Sequence, residues 1–171
     1  MQRVLTGASL GVVVGLLFTA CVVSPPAGAP GAPTAGVVVA DARALRYGAT
    51  APEVFNNPAL SPKIRALFGA DWNAGGALPF GAPAFFPASS SLRLIRLGDQ
   101  DYIAITGCVT SACGSHRGLL LIRQDGEQLL SRLDEGGFSH YYDHSPGATV
   151  AAVPRQWIDS AWRAVAGIER G

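Results

Sequence analysis

The sequence predicts an α+β domain, an antiparallel β-sheet meander with helices packed on one of its faces. Three observations predict it. Between Leu92 and Tyr142, short aliphatic and β-branched runs are separated by turn signals at Gly98-Asp99-Gln100, Asp125-Gly126 and Gly136-Gly137. Ahead of that region, Ala51 to Phe68 carries helix-start signals. Behind it, a stretch opened by Pro154 places apolar residues at helical spacing. No internal repeat is present.

Each element can be justified in chain order. Val37-Val38-Val39-Ala40 reads either as a short opening strand or as the end of a linker. Pro52-Glu53 precedes Val54 and Phe55, and Ser61-Pro62 reads as an N-cap followed by proline at the first helical position. Ile64, Leu67 and Phe68 then share one face, with Gly69 as C-cap, so helix is expected from Ala51 to Phe68 with a break near Pro58. Asp71 to Ser91 is rich in Gly, Pro and Ser, with Trp72, Phe80, Phe85 and Phe86 inserted. It reads as a long irregular connection whose aromatics pack over a sheet, or alternatively as a binding surface. Leu92 to Leu97 alternates as a strand. Tyr102, Ala104 and Thr106 alternate with Ile103 and Ile105. Gly118 to Arg123 contains an unbroken Leu-Leu-Leu-Ile, as in a strand covered on both faces. Gln128 to Leu133 pairs back across the Asp-Gly hairpin, and Phe138 to Tyr142 follows as a further strand. Trp157, Ile158, Ala161, Trp162 and Val165 form the apolar stripe of a last helix, which Gly167 ends.

The front of the chain is built differently. Met1-Gln2-Arg3 is followed by an apolar run from Val4 to Ala20 without a charged residue, the parts of a secretory signal. Phe18-Thr19-Ala20-Cys21 resembles the lipobox of bacterial lipoproteins, in which a small residue precedes an obligatory cysteine. That resemblance implies diacylglycerol on the Cys21 thiol, cleavage before it, and acylation (palmitate or a similar chain) of the new amine. Several acyl chains exceed the two signals needed for stable anchoring. An ordinary secretory signal and an uncleaved membrane helix are the alternatives. The expected organisation is a signal peptide over 1–20, a lipidated cysteine with a Pro/Ala/Gly-rich tether over 21–36, and one α+β domain over 37–171. Val22 stands where inner-membrane retention signals carry Asp. The resemblance therefore implies the periplasmic face of the outer membrane, with the lipid as the membrane contact.

Without Arg3 the chain has 12 basic and 12 acidic residues, and Lys63 is its one lysine. A neutral chain lacks the basic footprint that nucleic acid requires, so no nucleic-acid partner is expected. With Cys21 carrying lipid, Cys108 and Cys113 are left as an even pair in an exported protein, where a disulfide is expected. The bond would close Val109, Thr110, Ser111 and Ala112 into a short loop between two strands. A rigid protruding loop loses less entropy on docking into a cleft. A simple staple on a hairpin end is the other reading.

The order of parts is a signal, a helical segment, a strand ending in apolar-Gly-Cys, a C-x4-C loop, a strand, a D-G hairpin and a C-terminal amphipathic helix. From about Ala51 to Ala166 this resembles the Ivy family of periplasmic inhibitors of vertebrate (c-type) lysozyme. The resemblance implies a partner-binding loop at Val109, Thr110, Ser111 and Ala112. In that family the loop reads Cys-Lys-Pro-His-Asp-Cys, and its histidine enters a cleft holding two carboxylates. Here Ser111 stands at the histidine position, with Ala112, Val109 and Thr110 in place of the Asp, Lys and Pro. Both cysteines are kept and the histidine is not. A homodimer is a further implication.

His116, His140, Tyr141, Tyr142 and His144 are expected as secondary contacts, the last four within a stretch from Phe138 to His144 that reads as a binding strand or as a strand end with an aromatic inner face, because tyrosine and histidine combine apolar bodies with polar tips. His140 and His144, alone or with Cys108 and Cys113, offer a metal alternative. Ser139, His140 and Asp143 are too close in sequence for an ordinary triad, and no G-x-S-x-G elbow occurs. Asp134 and Glu135 read as a solvated turn. The expectation is therefore a non-enzymatic, cofactor-free, lipid-anchored binding or inhibitor protein. Its loop docks on c-type lysozyme or another peptidoglycan hydrolase. The alternatives are an envelope structural or assembly lipoprotein and a metal-binding lipoprotein.

Overall fold

The computed structural model describes residues 34–38, 41–144 and 155–168. The signal, Cys21, the tether up to residue 33, and Pro154 lie outside the described residues. Six strands form one antiparallel sheet in sequence order: β1 (Ala35–Val38), β2 (Ser91–Leu97), β3 (Gln100–Cys108), β4 (His116–Arg123), β5 (Leu129–Glu135) and β6 (Phe138–His144). The helices are α1 (Ala51–Asn56), α2 (Ser61–Phe68) and α3 (Arg155–Ile168). The fold is thus α+β with an open antiparallel meander. β1 begins at Ala35, ahead of the expected boundary at Val37, because Thr34 and Ala35 already follow the edge of β2: Gly98 donates to the Thr34 carbonyl and Ala35 sits opposite Leu97.

The turns follow their residues. Gly136 and Gly137 form the two-residue loop between Glu135 and Phe138 with φ of +59° and +100°, the left-handed pair that a tight hairpin demands. The β4–β5 connection is closed by Asp125, whose carboxylate accepts from the Glu127 amide at 2.9 Å and from the Arg123 side chain.

The core has two layers on opposite sides of the sheet. On the first face Leu94, Ile103, Ile105, Leu120, Ile122, Leu129 and Leu133 pack against α1, α2 and the long connection. On the second face Ile95, Leu97, Tyr102, Ala104, Leu119, Leu121 and Leu130 pack against Ile158, Ala161 and Val165 of α3. The expectation of helices on a single face is therefore corrected: α1 and α2 cover one face and α3 the other. The physical reason lies in β3 and β4. Both strands are apolar at successive positions, so each face buries aliphatic side chains and each needs a cover.

Smaller expectations also shift. Ser61 does not cap α2. Its amide already donates to the Asn57 carbonyl at 2.8 Å, and Leu60 occupies the cap position without a side-chain bond. The capping residue of α1 is Thr50, whose hydroxyl accepts from Glu53 N. The Thr50-x-x-Glu53 spacing is a legible capping signal. α3 runs through Gly167 to Ile168. In the long connection, single 3₁₀ turns at Gly69–Trp72 and Ala82–Phe85 deliver Phe85 and Phe86 to the core, while Phe80 stays 44% exposed.

Candidate functional site

One end of the sheet collects most of the residues singled out above. There β3 leaves and β4 enters through the Cys108–Cys113 loop, and the β5–β6 turn lies alongside. The strand ends can reach this loop because two glycines thin the sheet. A Cβ on Gly118 would come within 2.8 Å of the Phe86 ring, and one on Gly107 within 2.6 Å of the Phe85 carbonyl. The aromatic pair therefore lies directly on the paired Gly107–Gly118 backbone.

The two cysteines form the expected disulfide, with Cα atoms 4.9 Å apart. The loop is also closed by its own backbone. Val109 N donates to the His116 carbonyl at 3.1 Å, Ala112 N to Val109 O at 2.8 Å, and His116 N to Ala112 O at 2.8 Å. Gly136 N donates to Ser115 O at 3.0 Å and ties the loop to the neighbouring hairpin. The four expected contact residues divide. Thr110 and Ser111 are exposed at the tip. Val109 turns inward, only 6% exposed, and belongs to the first core layer, against which Ala112 also packs. Those two anchor the loop rather than present it, since apolar side chains gain by leaving water for the core.

The expected secondary contacts are likewise distributed. His116 is half-buried, edge-on to Phe80 at 5.3 Å between ring centroids, with its Nδ1 2.8 Å from Ser115 Oγ. Glu135 lies opposite it, 4.0 Å from His116 Nε2 and 3.5 Å from His140 Nε2. His140, Tyr142 and His144 share the first face. Tyr142 packs on Phe68, and its hydroxyl donates to Asp71 at 3.0 Å. Burial, and then that hydrogen bond, hold the Tyr142 phenol well above its ordinary pKa. Tyr141 points to the second face and donates to Asp159 of α3 at 2.8 Å. The tyrosines thus fasten helices to β6, and the sheet separates Tyr141 from the other four.

The same separation bears on metal binding. Both sulfurs of Cys108 and Cys113 are bonded to each other, and Cys108 alternates to the face opposite His140 and His144, so a Cys2His2 set does not assemble. Among the described residues no group of three or more His, Cys, Asp or Glu side chains is placed to hold a metal ion.

Phe138, the first residue of the stretch read as a possible binding strand, is 76% exposed at the tip of the β5–β6 hairpin beside the loop. Sequence reasoning missed the second-face cluster of Arg117, Arg132 and Trp162, in which Arg132 lies 4.6 Å and Arg117 5.7 Å from the indole. Among the described residues no helix is long and apolar enough to cross a membrane. Comparison with protein-family models, curated proteins and solved structures gives no match.

Proposed function

We propose that this chain is an exported, lipid-anchored binding protein whose disulfide-closed loop docks into the cleft of a glycan hydrolase, a c-type lysozyme or another peptidoglycan hydrolase, as an Ivy-like inhibitor. The supporting observation is the loop itself. A six-residue turn is held by a disulfide and by its own backbone hydrogen bonds, is anchored through Val109, and offers Thr110 and Ser111 to solvent. Such a turn pays little ordering entropy on entering a cleft. Ser111 donates one hydrogen bond to a cleft carboxylate and carries no charge, which favours moderate affinity. Exposed Phe138 adds an apolar contact beside the tip. In this reading Cys21 carries the lipid, and the domain faces the periplasm from the outer membrane.

Inhibition of a c-type lysozyme by the purified protein tests the docking step. Inhibition that is lost in Ser111→Trp, a bulky change at an exposed position, supports docking through the tip. A folded, oxidised protein that leaves both c-type lysozyme and the bacterium's own peptidoglycan hydrolases fully active overturns it. Labelling with a clickable palmitate, lost in Cys21→Ala, tests the anchor separately.

A further inference from the structure

Two cavities open on the second face of the sheet, on either side of Trp162. The first, about 380 Å³, has Ser89, Ser91, Thr106 and Thr110 around it, with Pro87 and Val165 as an apolar wall. The second, about 390 Å³, is lined by Ser115, Ser139, Arg132, Asp134 and Phe138. Arg117 and Trp162 line both, so the two adjoin across one shared wall. Each lies in the size range of small-molecule sites.

Their chemistry narrows the ligand. Hydroxyl side chains both donate and accept, which matches the alternating demands of sugar hydroxyls. Arg132 lies 2.8 Å from both Asp134 and Asp159, and Arg117 stands directly opposite Asp134 in the β4–β5 pair, so two guanidiniums meet two carboxylates around Trp162 and the trough suits a neutral polar ligand better than an ion. The Pro87 and Val165 wall, beneath a hydroxyl rim, suits a methyl group that projects from a polar ring. Trp162 is held under two guanidiniums, a stacked arrangement that limits its motion before any ligand arrives. Two equal cavities sharing an aromatic wall suit consecutive rings of a linear chain.

We propose that this trough binds a neutral N-acetylated saccharide, with successive rings in the two cavities and acetamido methyls against the apolar wall. The proposal does not rest on loop docking, since the ligand is a free sugar rather than a protein.

The test is a titration of the purified full chain with triacetylchitotriose and, separately, maltotriose, followed by saturation-transfer NMR and tryptophan fluorescence. Triacetylchitotriose is expected to bind and maltotriose, which lacks acetamido groups, is not. Ser89→Trp fills the first cavity and Ser139→Trp the second, each from an exposed position outside the docking loop. Each is expected to weaken binding about tenfold with an unchanged melting temperature. Absence of triacetylchitotriose binding to folded protein, equal binding of maltotriose, or unchanged affinity in both variants would overturn the proposal. Lysozyme inhibition by the same samples reports on the loop independently.

Discussion

Tyr142 concentrates several roles in one side chain. It packs edge-on against Phe68 and donates to Asp71, so it joins β6 both to α2 and to the long connection. Its raised pKa has a definite sign for stability. The folded state holds the phenolic proton more tightly than the unfolded chain. Its contribution is therefore complete below the ordinary value of 10.0 and declines as pH rises above it. Tyr102 acts the same way, because burial pushes its phenol up to about 12. Tyr142→Phe is expected to cost about 1 kcal/mol at neutral pH, the net worth of one hydrogen bond. It should also flatten the alkaline loss of stability, which urea unfolding at neutral and alkaline pH would measure. Gly107 is the opposite case, a residue valued for what it lacks. Gly107→Ala drives a methyl toward the Phe85 carbonyl and the Ser90 hydroxyl. It is expected to destabilise by about 1–3 kcal/mol, as overpacking does, read as a lower melting temperature.

At the scale of elements, the second face depends on α3. Ile158, Ala161 and Val165 are its buried contacts, while Arg132 and Tyr141 both reach Asp159 at 2.8 Å. Ile158→Ala is expected to cost about 2–5 kcal/mol, and the loss should appear as faster hydrogen exchange in β1 and β2 as well as in α3. The strands and both helical regions were legible in the sequence because their signals are local: Gly-Gly, Asp-Gly and Gly-Asp turns, a Ser-Pro helix start, and a stripe led by Trp157. The side of the sheet on which α3 packs was not, since a stripe reveals that a helix has a buried face and not which layer receives it. The clue was present in Leu119 to Ile122, read as covered on both faces. The disulfide was legible from cysteine number and expected compartment. The inward turn of Val109 was not, because within so short a loop no periodicity separates anchor from tip. The Arg117–Trp162 wall arises from side chains far apart in sequence, and spacing does not record such meetings.

At the scale of the whole molecule, the Cys108–Cys113 bond contributes shape more than stability. Its closed loop is so short that the chain-entropy model allows it about 2 kcal/mol. The double variant Cys108→Ala with Cys113→Ala is thus expected to remain folded with a modestly lower urea midpoint, while losing whatever activity the loop confers. A cooperative domain that failed to fold at all without the bond would show that the loop organises the sheet end, contrary to this expectation. The sheet pairs each strand only with its neighbours in the chain, and the helices add the longer-range contacts, α2 with β5 and β6 and α3 with β1 and β2. The first strand of the described chain thus receives its cover from the last helix. During synthesis the hairpins in between can form as they emerge, but the outer strand stays uncovered until α3 has emerged as well. In a chain assembled in that order, closing the second face is the last step.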